Sequence, residues 1–243
     1  MLLGLVSAQG APGVTTTALA LAAVAGPTSG LFVELDPAGG SVEGWTGVTG
    51  EPGLLRVAGH LRRGQTSDQL VDHVVGVPSG VRSLLAPTAG PVAESTLVAV
   101  DERLGPALAG LDVDVVVADA GRWSRSQVTA RRIMGCAVLG VVCAPTVHGI
   151  EHARWLIDPL RATFDVPVVV VVVGERGYGP DEVADALGVP VAGVVAWDRR
   201  GVNALFTSGA SRGWSRCPLA RTARTTLAGL RRHVDIVGMV RDA

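Results

Sequence analysis

Six consecutive valines fill positions Val168–Val173, and they constrain the fold more than any other feature of the chain. β-Branched side chains are stiff about χ1 and favour extended backbone, and a run without polar alternation suits a strand covered on both faces. Shorter apolar runs of the same character occupy 2–7, 31–35, 81–85, 113–119, 137–143 and 191–196. Stretches with helical spacing separate them, over 15–25, 53–63, 67–75, 125–134, 149–164, 181–187 and 218–234. Strands alternating with helices through short Gly/Pro punctuation predict an α/β fold, a doubly wound, mostly parallel sheet of about seven strands with helices on both faces. No linker or low-complexity tract interrupts 1–243, which reads as a single domain.

The 243 residues are 48% hydrophobic and 18% charged, a globular rather than disordered balance. All 21 basic residues are arginine, which excludes chemistry that needs a side-chain amine, such as a Schiff base or an amine grip on phosphate. Aromatic residues are only 4%, too few for a base-stacking nucleic-acid platform. Cys136, Cys143 and Cys217 form no CxxC pair, which predicts a reducing, cytoplasmic setting without structural zinc or a disulfide framework. The first ten residues lack the charged start of a secretory signal. The longest apolar stretch, 133–147, contains Pro145 and is too short for a transmembrane segment.

In folds of this class ligands sit at the carboxyl ends of the strands, so the loops after Ser7, Leu35, Val117 and Val173 carry the functional candidates. The first of them, Ala8-Gln9-Gly10-Ala11-Pro12-Gly13-Val14-Thr15-Thr16-Thr17, is a glycine-containing turn that enters a helix. Such a turn presents backbone N–H groups and a positive dipole end to an anion, and its threonines offer hydroxyls to phosphate and magnesium. The alternative is a tight strand-to-helix turn with a threonine cap.

The segment resembles the deviant P-loop of the ParA/MinD partitioning ATPases (SIMIBI class), which reads K-G-G-x-G-K-T-T. Gly10, Gly13, Thr15 and Thr16 match it. Gln9 stands in place of the signature lysine, Val14 in place of the main P-loop lysine and Ala11 in place of the second glycine, while Pro12 removes an N–H donor. In the family the main lysine bridges the β- and γ-phosphates and the signature lysine reaches the partner subunit's nucleotide; neither Val14 nor Gln9 can do so. Glu34-Leu35-Asp36-Pro37-Ala38-Gly39-Gly40 resembles the family's D-x-D-P-x-G-G segment. The resemblance makes Asp36 the carboxylate that positions the attacking water; otherwise it is a turn-capping aspartate. Val115-Val116-Val117-Ala118-Asp119-Ala120-Gly121 resembles the Walker B strand, with Asp119 near magnesium and Arg122 just beyond, either toward phosphate or as a solvated loop residue.

The likeness continues through Cys143-Ala144-Pro145-Thr146-Val147-His148-Gly149-Ile150 and through Gly188-Val189-Pro190-Val191-Ala192-Gly193-Val194-Val195-Ala196-Trp197-Asp198. Where the family's sixth strand ends in an asparagine–arginine pair that reads adenine, Gly174-Glu175-Arg176-Gly177 keeps only Arg176. Trp197 is expected to fill space that nucleotide would occupy. The resemblance thus implies a P-loop NTPase-like fold with a vestigial nucleotide site: Gly10, Gly13, Val14, Thr15, Thr16, Asp119, Arg122 and Arg176, with Thr15, Asp36 and Asp119 holding magnesium only if nucleotide binds. His148 and His152 lie four apart, a spacing that suits an exposed helix face better than a metal site lacking a third ligand.

Charge is uneven along the chain: residues 1–198 carry 12 arginines against 20 acids, and residues 199–243 carry 9 against 2. A basic amphipathic helix is expected over 218–237, with Leu219, Ala223, Leu227, Leu230, Val234 and Val237 on its apolar stripe and Arg221, Arg224, Arg231 and Arg232 off it. Docking against the sheet accounts for the stripe, and the arginines are candidate contacts to DNA phosphates or another anionic surface.

The leading reading is a ParA/MinD-like pseudo-ATPase without a cofactor. It would act as a positioning or assembly scaffold for cell-pole, pilus, secretion or partition machinery, as in TadZ/CpaE-like proteins, with protein partners and a homodimer implied by the family. The alternatives are a weak but genuine ATPase using ATP and magnesium, and a non-specific DNA-binding partition factor using the C-terminal arginines.

Overall fold

The computed structural model describes residues 1–10, 12–64, 67–123, 133–207 and 214–241. Eight strands form one sheet: β1 Leu2–Ser7, β2 Gly30–Glu34, β3 Val75–Gly76, β4 Arg82–Leu84, β5 Val115–Arg122, β6 Val138–Cys143, β7 Val168–Val173 and β8 Val191–Val195. Their order is β3-β4-β2-β5-β1-β6-β7-β8. Every pairing is parallel except that of β3 with β4. The six valines of β7 are all buried, as their lack of alternation requires.

The helices are α1 Val14–Ala25, α2 Val42–Thr46, α3 Gly53–Arg62, α4 Gly90–Val100, α5 Leu104–Ala109, α6 Val147–Thr163, α7 Pro180–Leu187, α8 Arg199–Thr207 and α9 Pro218–Arg241. They divide between the two faces of the sheet. One apolar cluster joins Leu54 and Val57 of α3, Leu97 of α4 and Ile157 of α6 to Leu31 and Val170. The other joins Leu19 of α1, Phe206 of α8 and Leu227 of α9 to Phe32 and Val171. Leu219, Ala223, Leu227 and Leu230 are buried, so α9 docks by its apolar stripe while Arg221, Arg224, Arg231 and Arg232 face solvent.

Local chemistry sets the helix ends. Thr146 Oγ1 accepts from Gly149 N (3.1 Å) at the start of α6, and Glu182 Oε2 accepts from Gly179 N (2.7 Å) at the start of α7. Asp198 caps two helices: Oδ1 accepts from Arg200 N (3.1 Å) and Gly201 N (3.0 Å) in α8, and Oδ2 accepts from Leu219 N (3.3 Å) in α9. These bonds hold its carboxyl below the usual range, although desolvation, the largest single influence, acts the other way.

Three expectations need correction. The helix predicted over 67–75 is a 3₁₀ segment, Ser67–His73, followed by β3, which raises the strand count from about seven to eight. Its Ser, Asp and His are poor helix formers, and its closing valines favour extended backbone. Strand β5 runs on to Arg122, so the loop placed after Val117 begins later. The predicted set also omits α2, α4, α5 and α8: α2 and α5 are too short for a helical period to register, and the valines and threonine of α4 dilute its stripe. Most of the helix predicted over 125–134, as well as Ala11, lies outside the described residues.

Candidate functional site

The carboxyl ends of β1, β2, β5, β7 and β8 open on one cleft of about 760 Å³. Its floor begins where β1 turns into α1. Ser7 Oγ donates to Gln9 O (2.7 Å), and Gly13, at φ +92°, adopts the left-handed conformation that admits the first helical turn, closed by Thr17 N donating to Gly13 O (2.9 Å). Val14 follows, 6% exposed, and belongs to the apolar cluster that contains Val173, Val195, Leu205 and Phe206. The position where the resemblance calls for the main lysine is therefore part of the hydrophobic core.

Three carboxylates converge beneath this turn. Asp119 is 2% exposed; it accepts from Gly121 N (2.9 Å) and from the Thr15 side chain. Burial outweighs both bonds, and the charges of Glu34 and Asp36 add to it, so its pKa rises to about 7. Glu34, equally buried, accepts from three backbone donors: Ser41 N (2.8 Å), Val42 N (3.0 Å) and Ala86 N (3.2 Å). Desolvation still raises its pKa above the ordinary value. These bonds tie the loop after β2 to the loop after β4. Asp36 lies on the first of those loops, where Oδ1 accepts from Ala38 N (2.8 Å), and its carboxyl group packs onto the Cα of Gly121. A Cβ at Gly121 would collide with that carboxyl, and the residue's φ of +64° also favours glycine.

The opposite wall is apolar and aromatic. Val173 and Val195 end their strands there, Val202 and Phe206 project from α8, and Trp45 meets Phe206 edge to face at a centroid distance of 4.7 Å. Trp197 stands at the rim and is 70% exposed, which overturns the expectation that it fills the cleft. The backbone around it is fixed by Ala196 N donating to Thr222 Oγ1 (3.0 Å) and by the Asp198 caps.

The cleft gathers most of the predicted site: Gly10, Gly13, Val14, Thr15, Thr16, Asp36 and Arg122 line it, with Asp119 buried behind Thr15. Arg176 is exposed and does not line it, and the four arginines of α9 also lie apart from it. His148 and His152 touch edge to face at 4.3 Å on α6, and among the described residues no group of three His, Cys, Asp or Glu side chains is placed to hold a metal. Sequence reasoning missed the latch role of Glu34 and the double cap at Asp198. The advance signal was Glu34 in place of the first aspartate of the D-x-D-P-x-G-G pattern, and for Asp198 the aspartate that closes the 188–198 segment.

Comparison by sequence finds no matching family model and no matching curated protein. Comparison with solved structures finds the same fold repeatedly. A ParA family ATPase from Chlorobium tepidum TLS superposes with a TM-score of 0.75 at 16% identity, covering 93% of this chain and 98% of that one. The septum site-determining protein MinD of Pyrococcus horikoshii OT3, solved with Mg-ADP, gives 0.70 at 16% identity and 93% coverage of each chain. Apo McdA of Cyanothece gives 0.66 at 16% identity, over 96% of this chain and 98% of that one. At such identities the likeness is one of fold. The chain has the α/β P-loop NTPase-like fold shared by ParA, MinD and McdA proteins.

Proposed function

We propose that this protein is a ParA/MinD-like scaffold that has lost ATP hydrolysis and acts by positioning or assembling partner proteins. The observation that carries the reading is Val14, buried in the apolar core at the position where the relatives' pattern places the phosphate-bridging amine. A magnesium–triphosphate fits this donor set poorly. Among the described residues, the charged groups lining the cleft are Asp36 and Asp198 against Arg122 and Arg199, a formal balance of zero. The Thr15 hydroxyl is bonded to Asp119, whose pKa burial raises to about 7. Phosphoryl transfer depends on concentrated positive charge around the transferring group, which this lining does not supply.

Calorimetric titration with magnesium–ATP, paired with phosphate-release assays, tests the proposal. We expect neither saturation at micromolar nucleotide nor turnover; micromolar binding with turnover would establish the rival reading of a weak ATPase. A fluorescent fusion in the native cell should form foci, and Asp36→Ala should leave them unchanged, because no hydrolytic cycle drives them.

The four solvent-facing arginines of α9 favour a second reading, contact with DNA phosphates. Duplex binding at low salt that weakens when Arg221, Arg224, Arg231 and Arg232 are changed to glutamine would support it. No binding by the unmodified protein would eliminate it.

A further inference from the structure

The cleft that lacks a phosphate grip is well equipped on its other side. Two of the protein's five tryptophans and one of its three phenylalanines surround it, in a chain that is only 4% aromatic. Trp45 is 50% exposed and Trp197 70% exposed, so each leaves indole surface open to solvent at the mouth. Phe206 is buried beneath Trp45 and fixes that indole edge to face. Exposed indoles at the entrance of a concave site keep apolar area in water, which a flat ligand removes by stacking. The volume, about 760 Å³, is of the size that takes a small organic molecule. Val14, Val173, Val195 and Val202 line the interior, and the zero formal charge of the described lining neither attracts nor repels a neutral guest.

We infer that the cleft is a binding site for an uncharged, planar aromatic ligand, stacked against the indoles of its mouth, Trp45 and Trp197, and seated on the valine wall, with no phosphate group. This assignment rests on the reading above that the polyphosphate function is lost, and it names what replaces it. Glu34 serves the site indirectly. By bonding Ser41, Val42 and Ala86 it fixes the loop that leads into α2, which carries Trp45.

The test titrates the full chain with N-phenyl-1-naphthylamine, a neutral fluorescent probe whose emission rises in apolar surroundings. We expect one saturable site. Trp197→Ala and Trp45→Ala should each weaken the probe about tenfold, as loss of a stacked ring implies. Because Trp197 is so exposed, its replacement should leave the unfolding midpoint unchanged, which separates lost binding from lost folding. Millimolar magnesium–ATP should leave the probe in place. Absence of saturable binding, or binding equally tight in both tryptophan variants, overturns the inference while leaving the loss of hydrolysis standing. Displacement of the probe by micromolar magnesium–ATP overturns both. Probe binding that falls with rising protein concentration would assign the aromatic mouth to self-association and likewise overturn the inference.

Discussion

The two sides of the cleft obey opposite rules. The floor concentrates three carboxylates, Glu34, Asp36 and Asp119, around backbone N–H donors and the Thr15 hydroxyl. The wall, from Val14 across to Phe206 and Val195, is core-like and ends in two exposed indoles. A buried carboxylate lowers stability unless donors compensate, whereas a buried valine stabilises by about 0.8 kcal/mol per CH₂. On folding energetics alone, the floor would be expected to become as apolar as the wall. The floor nevertheless holds its carboxylates on backbone donors, which divides the site into a polar frame and an apolar receptacle.

Glu34 offers the hardest test of that division, because three backbone donors depend on one side chain. Glu34→Ala would strand the N–H groups of Ser41, Val42 and Ala86. Each unsatisfied buried donor costs about 1–3 kcal/mol, and removal of the buried carboxyl relieves part of the sum, so a net loss of about 3–5 kcal/mol is expected, read as a shift of the urea midpoint. Glu34→Gln keeps an acceptor oxygen and should lose less. An alanine variant as stable as the parent would mean that the floor is not a frame.

Asp119 should respond in the opposite direction. Its pKa rises from 3.8 in the unfolded chain to about 7 in the fold, so between these values the folded state holds the extra proton. Its contribution is therefore fully favourable below pH 3.8 and is lost as pH climbs through about 7. Asp119→Asn removes that penalty while leaving an oxygen for Gly121 N. The variant should be more stable than the parent at pH 8, by about 1–3 kcal/mol, with the difference shrinking toward pH 4. Urea unfolding at several pH values measures it; a variant less stable at pH 8 would show that the ionised carboxyl is better supported than its burial implies.

How much of this was legible in advance differs between the two sides. The valine runs specified the parallel strands because side-chain shape and lack of alternation act locally. The β1–α1 turn and the loop with Asp36 were legible as motifs, and the structure places both on the cleft. Glu34 was legible only as a departure from a pattern. Its partners lie seven, eight and 52 residues away and are backbone groups, which carry no residue-type signal. Strand β3 was hidden because a two-residue antiparallel edge is shorter than any periodicity can register. Trp197 was misjudged for a related reason: burial of a tryptophan depends on the backbone that carries it, here fixed on either side by α9, where Thr222 Oγ1 accepts from Ala196 N and Leu219 N donates to Asp198.

The smallest stability effect belongs to Trp197, and it bears on the wall rather than the floor. At 70% exposure the indole contributes little to the core, so Trp197→Ala should change unfolding free energy by no more than about 0.5 kcal/mol. Phe206 provides the contrast on the same wall, being 5% exposed and packed against Trp45. Phe206→Ala should cost about 3–5 kcal/mol through lost burial and the cavity left behind. A large loss from Trp197→Ala, measured by the same urea midpoints, would place the indole inside the structural core and close the cleft mouth. A near-neutral result keeps the indole at the rim outside the core and free to meet a ligand.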